Sequence, residues 1–380
     1  MTAVQLPDFA DELVAAMAAR DTERAEIPVI QPAEPFLDMA GEDLRRRIYL
    51  TENENGDSLC LRPEFTIPVC LGHIAGQVGT PRRYSYLGQV FRQRRVGGNE
   101  FYQAGIEDLG EADIAKADAR AISDAAGLLR ELLPSEYLSV TIGDQALFEA
   151  VVAGLGLPAG WQKRLIHAFG DETAMGRMIE SLASAQAATV EESDLGELIV
   201  AGDVSAIAAH IGSVMEETGY STHASRSPEE IAARLVEKTE LEKTRLSDKA
   251  FAALKTFLAL DARLSEAVAE LRRFASSADL EIGSALNLFA ARVEGIEASG
   301  ADLPVMRWRA AFGRPLDYYT GLVFEIASTL EGAVLAGGGR YDRMMTLLGA
   351  REEIPAVGFS LWVDRIEALR TASGAGEPGE

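Results

Sequence analysis

Three consecutive glycines near the C-terminus, Gly337 to Gly339, place the tightest limit on how this chain can fold. They follow a run rich in aromatic and β-branched residues, from Tyr318 to Ala327, whose alternation predicts a strand. Glycine inside a strand pattern costs stability and is tolerated where a ligand or a second backbone must come close. An arginine, an aspartate and two tyrosines flank this bare main chain. The stretch is therefore either one wall of a small polar-ligand pocket or a purely structural strand and glycine turn.

Length and composition indicate a globular protein. With 380 residues and 47% hydrophobic content, the chain can build one large core or two domains of ordinary size. No apolar run approaches the roughly 20 residues that span a bilayer, and the N-terminal residues read as an acidic amphipathic helix rather than a signal peptide. Cys60 and Cys70 lie in apolar surroundings without a CxxC spacing, which indicates neither a disulfide framework nor a zinc site. We expect a cytoplasmic protein without membrane contact.

The net charge of the chain and the positions of its histidines limit the ligands that it could bind. The formal charge of −23 repels polyanions unless basic residues are locally concentrated, so nucleic acid is a less favoured partner without being excluded. His167, His210 and His223 stand apart from one another and from acidic pairs at metal-binding spacing. We expect no metal site.

The two ends of the chain differ in character from its middle. Strand-like alternation dominates the ends, whereas residues 160–275 are rich in Ala, Leu, Glu and Ser at helical periods. We therefore predict a core built from residues 1–159 and 276–370, interrupted by a helical insertion at 160–275. The low-complexity residues 371–380 should form a disordered tail.

Two predicted hairpins carry polar side chains. Asn55-Gly56 separates the apolar runs 47–51 and 58–62, which is a strong hairpin signal. Helical spacing begins at Ile67, so Glu64 stands at the seam between a strand and a helix, where ligand contacts are common.

The second hairpin joins the strand-like runs 84–92 and 101–109 through a basic loop that contains Arg94 and Arg95. It is either a hairpin that reaches over an anionic ligand or a solvated surface hairpin. In both cases Arg92, Gln103 and Glu107 lie near its base.

Six segments occur in an order that resembles the catalytic domain of histidyl-tRNA synthetase. They are Leu61-Arg62-Pro63-Glu64, Val90-Phe91-Arg92, Phe101 to Glu107, Arg314 to Glu325, Gly338 to Asp342 and Ala356-Val357-Gly358-Phe359. The resemblance covers both ends of the chain and skips the helical middle. It implies an α+β fold: a class II aminoacyl-tRNA synthetase-like antiparallel sheet flanked by helices, with a helical insertion.

The same resemblance implies a histidine-binding site. In that family the amino acid is held by a glutamate of the first segment, a glutamine and a glutamate of the second hairpin, and two tyrosines, with an arginine at the catalytic position. The candidate histidine-binding residues, to which Arg92 is added from the hairpin base, are Glu64, Arg92, Gln103, Glu107, Arg314, Tyr318 and Tyr319. Acidic and polar groups suit a zwitterion that carries an imidazole.

The chain departs from the synthetase pattern where ATP and tRNA would bind. Arg94 stands where the family has a nucleotide-contacting glutamate, and Trp362 stands where it has a glycine beside the adenine site. The basic loop looks shortened, and no anticodon-binding domain follows the last segment. We expect no catalytic residues, no cofactor and no tRNA partner.

With these departures, the sequence resembles a family of synthetase paralogues, the regulatory subunits of ATP phosphoribosyltransferase. This resemblance implies a noncatalytic chain that is required for activity of the short-form catalytic subunit and that takes part in feedback by histidine, in the first step of histidine biosynthesis. The synthetase resemblance also implies a homodimeric core. The alternative is a truncated synthetase-like enzyme that activates histidine or acylates another acceptor. Histidine could bind in the synthetase-like pocket or at a subunit interface, and the sequence leaves both open.

Overall fold

The structure is a computed structural model that describes residues 5–39, 41–95, 97–183, 194–218, 227–299, 305–314 and 318–374. The chain divides into two compact units. One contains Met1–Ala150 together with Phe257–Glu380, and the other contains Val151–Thr256.

The first unit is built on strands from both ends of the chain. Nine of them form one sheet in the order β1-β5-β6-β12-β11-β10-β7-β9-β8, and β2-β4-β3 form a second, three-stranded sheet. The strands are β1 Glu23–Arg24, β2 Ile30–Pro32, β3 Leu50–Glu52, β4 Ser58–Leu61, β5 Arg82–Phe91, β6 Glu100–Leu109, β7 Leu138–Asp144, β8 Asp261–Arg263, β9 Val305–Arg309, β10 Leu322–Ser328, β11 Val334–Arg340 and β12 Ala356–Trp362.

The large sheet is mixed rather than purely antiparallel. From β5 to β7 every neighbouring pair is antiparallel, as the resemblance implied, but β1 pairs with β5 and β7 pairs with β9 in parallel. Parallel neighbours need long crossover connections, and here those connections contain helices.

Both predicted hairpins are confirmed. Strands β5 and β6 pair in register from Arg82 opposite Leu109 to Phe91 opposite Glu100. Strands β3 and β4 pair around a turn in which Gly56 has φ of +82°, a conformation that glycine adopts without a steric penalty.

The predicted strand that starts at Tyr318 begins instead at Leu322. Tyr318 and Tyr319 are both buried, and they lie in a turn and loop ahead of β10. The two tyrosines therefore belong to a non-strand segment that precedes β10, and the chain joins the sheet only after them.

Helices cover the sheet and form the second unit. They are α1 Ala10–Ala18, α2 Glu34–Met39, α3 Glu42–Arg45, α4 Thr66–Ala75, α5 Ile114–Leu132, α6 Gln145–Gly154, α7 Ala159–His167, α8 Glu172–Ala183, α9 Asp194–Ala201, α10 Val204–Thr218, α11 Pro228–Lys243, α12 Asp248–Leu258, α13 Leu264–Ala278, α14 Gly283–Ala298, α15 Asp342–Leu347 and α16 Val363–Gly374. Within the described residues, none of these helices has the length and apolar character to cross a bilayer.

The helical unit spans residues 151–256, whereas the predicted insertion spans 160–275. The C-terminal boundary differs because β8 pairs with β9 and so belongs to the large sheet, and α13 follows directly after β8. Inside the helical unit, the Trp161 indole donates a hydrogen bond to the Leu241 carbonyl at 2.8 Å.

The C-terminal helix also extends further than the sequence predicts. Residues 371–374 belong to α16, where the Thr371 hydroxyl donates to the Glu367 carbonyl at 2.9 Å. The rest of the predicted tail, 375–380, lies outside the described residues.

Both cysteines lie in the core of the first unit. Cys60 and Cys70 are fully buried free thiols in one hydrophobic cluster. Burial raises the pKa of the Cys60 thiol to about 11 and raises the pKa of the Cys70 thiol in the same direction.

A buried ion network ties the helices to the large sheet. Asp118 on α5 accepts hydrogen bonds from Arg292 on α14 and from Arg340 on β11, the latter at 2.7 and 2.8 Å. Arg292 also pairs with Asp144 at the end of β7, at 2.6 Å. All four side chains are almost fully buried, so each charge depends on its partners for the interactions that water would otherwise provide.

We predict that Asp118→Ala destabilises the fold strongly, because it leaves two buried arginines without their shared carboxylate. The free energy of unfolding, measured by urea titration, is expected to fall by about 3–5 kcal/mol. Asp248→Ala is the matched control, because Asp248 is almost fully exposed and pairs with Arg245 at only 3.4 Å. It is expected to lower the same quantity by less than about 1 kcal/mol. Equal effects of the two substitutions would contradict this account.

Candidate functional site

The three glycines that limit the fold lie in β11, and each occupies a place where a side chain would collide. A Cβ on Gly337 would overlap the Arg314 guanidinium, and one on Gly339 would lie 2.9 Å from the Tyr319 ring. A Cβ on Gly338 would collide with the backbone of the adjacent strand β12. The glycines therefore leave room for the adjacent strand and also for the side chains of Arg314 and Tyr319.

A cavity of about 50 Å³ lies over this part of the sheet. It is lined by Leu44, Glu64, Thr66, Arg92, Gln103, Arg314, Tyr318, Tyr319, Gly337, Tyr341, Gly358, Phe359, Ser360 and Trp362. Six of the seven predicted histidine-binding residues are among them, and they come from segments as far apart in sequence as residues 64 and 319.

Two polar atoms at this cavity have no hydrogen-bond partner among the described residues. They are Oε1 of Gln103 and Nε of Arg314, one an acceptor and the other a donor, and both are buried. Another nitrogen of the Arg314 guanidinium, Nη1, lies 2.7 Å from the Glu325 carboxylate, and this ion pair holds the side chain in place. Buried polar atoms are normally paired, so two unpaired ones that line the same cavity suit a polar ligand that could pair both.

Three tyrosine rings supply the apolar part of the site. The rings of Tyr318 and Tyr319 lie 4.9 Å apart, and Tyr341 meets Tyr318 edge to face at 5.9 Å. All three are buried within the cluster that also holds the cysteines. Such an arrangement can accommodate a flat aromatic ring beside the polar groups.

Glu64 lies between β4 and α4, where the sequence places it, and its carboxylate is held by hydrogen bonds within the protein. Its carboxylate accepts hydrogen bonds from the backbone N–H groups of Thr66 and Ile67, at 2.7 and 2.9 Å, at the start of α4. Burial nevertheless raises the pKa of Glu64 above its ordinary value. Arg92 donates to the Pro63 carbonyl at 2.6 Å, and burial lowers its pKa to about 10, which keeps it cationic at neutral pH.

Glu107, the seventh predicted residue, does not line the cavity but lies directly behind its wall. Its carboxylate accepts a hydrogen bond from the Thr66 hydroxyl at 2.7 Å and others from Tyr341 and Tyr86. Gly358 gives it room, because a Cβ there would overlap the carboxylate. Burial raises the pKa of Glu107 to about 8, since the loss of water outweighs the stabilising hydroxyl groups.

Of the two residues that depart from the synthetase pattern, Trp362 lines the cavity and Arg94 does not. Arg94 pairs with Asp364 at 3.1 Å and stacks over the ring of Phe101. Trp362 lines the cavity, and its ring centroid lies 5.6 Å from the Arg314 guanidinium and 5.3 Å from that of Arg365. The described residues contain no cluster of three or more His, Cys, Asp or Glu that could hold a metal ion.

Comparison with known proteins identifies the family. The family model described as histidyl-tRNA synthetase matches residues 2–235 and 233–366. A protein of Allorhizobium ampelinum called ATP phosphoribosyltransferase regulatory subunit is 61% identical over 370 residues, which cover 97% of this chain and 100% of that protein. The chain belongs to the family of ATP phosphoribosyltransferase regulatory subunits.

Further similarities agree with this family assignment. A regulatory subunit of Rhizobium johnstonii is 60% identical over 98% of this chain and 100% of its own length. A crystal structure from Bacillus halodurans, described as an ATP phosphoribosyltransferase regulatory subunit/histidyl-tRNA synthetase, matches with a TM-score of 0.66. It is 19% identical and covers 97% of this chain and 81% of its own, so it supports the fold alone.

The sequence pattern did not predict two hydroxyl groups of the site or the two arginines, Arg46 and Arg47, that lie near it. Thr66 and Tyr341 hold Glu107, and both stand within or beside segments that the resemblance already identified. The signal for the two arginines was the consecutive run Arg45-Arg46-Arg47, whose last two members lie close to Arg92 and Trp362 in space.

We predict that Glu107 makes the stability of the folded chain fall as pH rises. Its pKa is about 8 in the folded chain and 4.5 in the unfolded chain, so the unfolded state loses the proton first. This contribution is complete below about pH 4.5 and declines as the pH rises towards 8. Glu107→Gln cannot ionise, so the difference in thermal midpoint, wild type minus variant, is expected to decrease across this range.

The control for this pH profile is Glu266→Gln on the exposed face of α13. Its profile is expected to run parallel to that of the wild type. A difference between wild type and Glu107→Gln that is constant from pH 4.5 to 8 would show that Glu107 does not titrate as described.

Proposed function

We propose that this chain is a noncatalytic regulatory subunit that assembles with the short-form catalytic subunit of ATP phosphoribosyltransferase and couples the histidine level to its activity. The observation that carries this proposal is identity of about 60% along nearly the full length of proteins with that name. In the first step of histidine biosynthesis, such a subunit is required for activity of its short partner. The proposed assembly contains a dimer of this chain, works in the cytoplasm and does not involve tRNA.

The surroundings of the cavity support a role without aminoacylation. A class II synthetase must hold ATP beside its amino acid, and the resemblance assigns one contact of that nucleotide to a carboxylate. Arg94 replaces that carboxylate and pairs with Asp364, while the Trp362 indole occupies space where the family has a glycine. Arg314 is present at the catalytic arginine's position, but it pairs with Glu325.

Histidine is the ligand that this cavity suits. The Arg314 guanidinium can donate to an α-carboxylate, and Oε1 of Gln103 can accept from an ammonium or an imidazole N–H. Glu107, just behind the wall, adds negative potential when it is ionised and therefore favours a cationic ligand. The tyrosine rings can pack against the imidazole.

We expect histidine to change the contacts of the side chains that line the cavity. Arg314 is paired with Glu325, and Glu64 accepts two hydrogen bonds at the start of α4, so a ligand that binds either side chain competes with a contact within the protein. A ligand that binds an open state better than a closed one shifts the balance between them, which is what coupling to a partner requires.

We predict that adding this chain to a short-form catalytic subunit raises its phosphoribosyltransferase activity and that histidine then lowers it. The rate is measured with the catalytic subunit alone, with this chain, and with this chain plus histidine. No activation on mixing would contradict the regulatory role. Histidine-dependent exchange of pyrophosphate with ATP by the isolated chain would instead establish the alternative, a truncated synthetase-like enzyme.

We predict that Gln103→Leu weakens histidine binding without destabilising the protein. Leucine is of similar size and removes a buried oxygen that has no partner in the described structure, so the thermal midpoint should stay the same or rise. The loss of one hydrogen bond to a charged ligand should reduce affinity about tenfold or more, as measured by calorimetry.

Ser123→Ala is the matched control, because the Ser123 hydroxyl on α5 is also buried without a described partner but does not line the cavity. It should leave histidine affinity unchanged. Equal affinity of Gln103→Leu and wild type would move the histidine site to a subunit interface. Gln103→Leu is a sharper probe than Glu64→Ala, because loss of Glu64 also removes two hydrogen bonds at the start of α4.

A further inference from the structure

Three large apolar side chains are exposed at one end of the large sheet, around the turn that joins β10 to β11. Tyr137 is 71% exposed, Leu330 75% and Val305 68%. The Thr329 backbone N–H donates to the Tyr137 carbonyl at 2.8 Å, which fixes Tyr137 beside the turn that carries Leu330. Val305 begins β9 opposite Ser139 of β7, two residues after Tyr137. We call Tyr137, Val305 and Leu330 the apolar patch.

Two carboxylates lie beside the apolar patch, and neither has an ion pair with a described residue. Glu136 precedes Tyr137 and accepts a hydrogen bond from the Ser328 hydroxyl. The Ser328 hydroxyl oxygen in turn accepts one from the Glu331 backbone N–H at 3.0 Å. Because no arginine or lysine neutralises them, both carboxylates keep their negative charge next to the apolar side chains.

A hollow of about 340 Å³ lies next to Glu136, at the C-terminal end of α5. Its described lining contains Glu12, Glu131 and Glu136 against one cation, Arg370. Glu12 and Glu131 pair with arginines of this chain, so Glu136 supplies the free charge. Nη1 of Arg370 donates to the Leu132 carbonyl at 2.9 Å, at a helix end where carbonyl groups carry partial negative charge. This acidic hollow therefore already accepts one guanidinium group.

The charges argue against a second copy of this chain as the occupant of this surface. A two-fold contact places the same surface of both copies face to face, so Glu136 and Glu331 of each would be brought towards the other pair. Near Val305, Arg307 and Arg309 share the Asp261 carboxylate at 2.7 and 3.6 Å, which leaves one positive charge against the two carboxylates. The net charge of −23 adds to the repulsion between copies. A partner with basic side chains suits the same surface.

We propose that the apolar patch and the acidic hollow form one docking surface for a basic segment of the catalytic subunit that carries an apolar anchor residue. The anchor packs on Tyr137 and Leu330, and a lysine or arginine of the same segment enters the acidic hollow beside Glu136. The inference rests on the proposed function, because it names a surface through which that assembly forms.

The composition of the surface fits such a contact. Tyrosine is frequent among the residues that dominate the energy of protein interfaces, and complementary charge around them sets orientation and the rate of association. Three apolar side chains are far less than the about 800 Å² that each partner contributes to a stable interface of standard size. The apolar patch is therefore the anchor of a larger contact.

The test measures binding of the short-form catalytic subunit to the full chain by calorimetry, with activation of the phosphoribosyltransferase as a second readout. Tyr137→Ser and Leu330→Ser should each weaken binding about tenfold or more, because each removes an apolar contact at the centre of the surface. Leu347→Ser is the matched control, since Leu347 is 66% exposed and follows the opposite end of β11. It should bind as the wild type does. All three side chains are exposed, so the thermal midpoints should match the wild type.

Glu331→Lys tests the charge of the partner segment. A cation at this exposed position repels a basic segment, so binding should weaken about tenfold and depend less on salt. Glu266→Lys, on the exposed face of α13, is the control and should change neither quantity. Unchanged or tighter binding by Glu331→Lys would overturn the basic character of the segment.

The remaining outcomes separate this surface from the proposed function. Wild-type binding that Tyr137→Ser and Leu330→Ser leave unchanged would overturn the docking surface and keep the regulatory role. A wild-type chain that neither binds nor activates the catalytic subunit would overturn both. A lower mass of the isolated Tyr137→Ser assembly by light scattering would assign the surface to contacts between copies of this chain, and it would also overturn the proposal.

Discussion

The shared carboxylate of Asp118 is the interaction on which the rest of the structure depends. It holds Arg292 and Arg340 in a space without water, and through them joins two helices to the strand that carries the three glycines. Three of the seven residues of that strand are glycines with no side chain to pack, so hydrogen bonds to both neighbouring strands and the Arg340 ion pairs help to hold it in place. Charged groups therefore anchor the end of a glycine-rich wall.

The cavity and its wall combine carboxylates, arginines, an amide and three tyrosine rings. Its carboxylates are engaged by the protein, Glu64 at the start of α4 and Glu107 by hydroxyl groups behind the wall. Among the described residues that line the cavity, Gln103 and Arg314 have buried polar atoms without a hydrogen-bond partner. Under the proposed function, a ligand that pairs these atoms would bind one conformation of the pocket better than another and so shift the balance between them.

Features that depend on residues close together in the sequence could be predicted from the sequence pattern. The Asn55-Gly56 turn and the alternation of β5 and β6 were enough for both hairpins, and the resemblance placed six residues around one cavity. The parallel pairings of β1 and β9 depend on contacts between distant segments, which periodicity does not record. The position of Glu107 behind the wall follows from the space left by Gly358, and the size of the cavity from packing. Neither the position of Glu107 nor the size of the cavity can be read from the sequence pattern.

Because both thiols are buried, a fluorescent label can be attached selectively at an introduced cysteine. Cys60 and Cys70 are the only cysteines of the chain, and both lie in the core with pKa values raised by burial. Thiol-reactive dyes attack the exposed thiolate, so the native folded chain gives almost no background labelling. A single cysteine introduced at the exposed Gln93, next to the cavity-lining Arg92, would carry a fluorophore without first removing a native cysteine. Changes near the cavity on addition of a ligand could then be followed in real time by fluorescence.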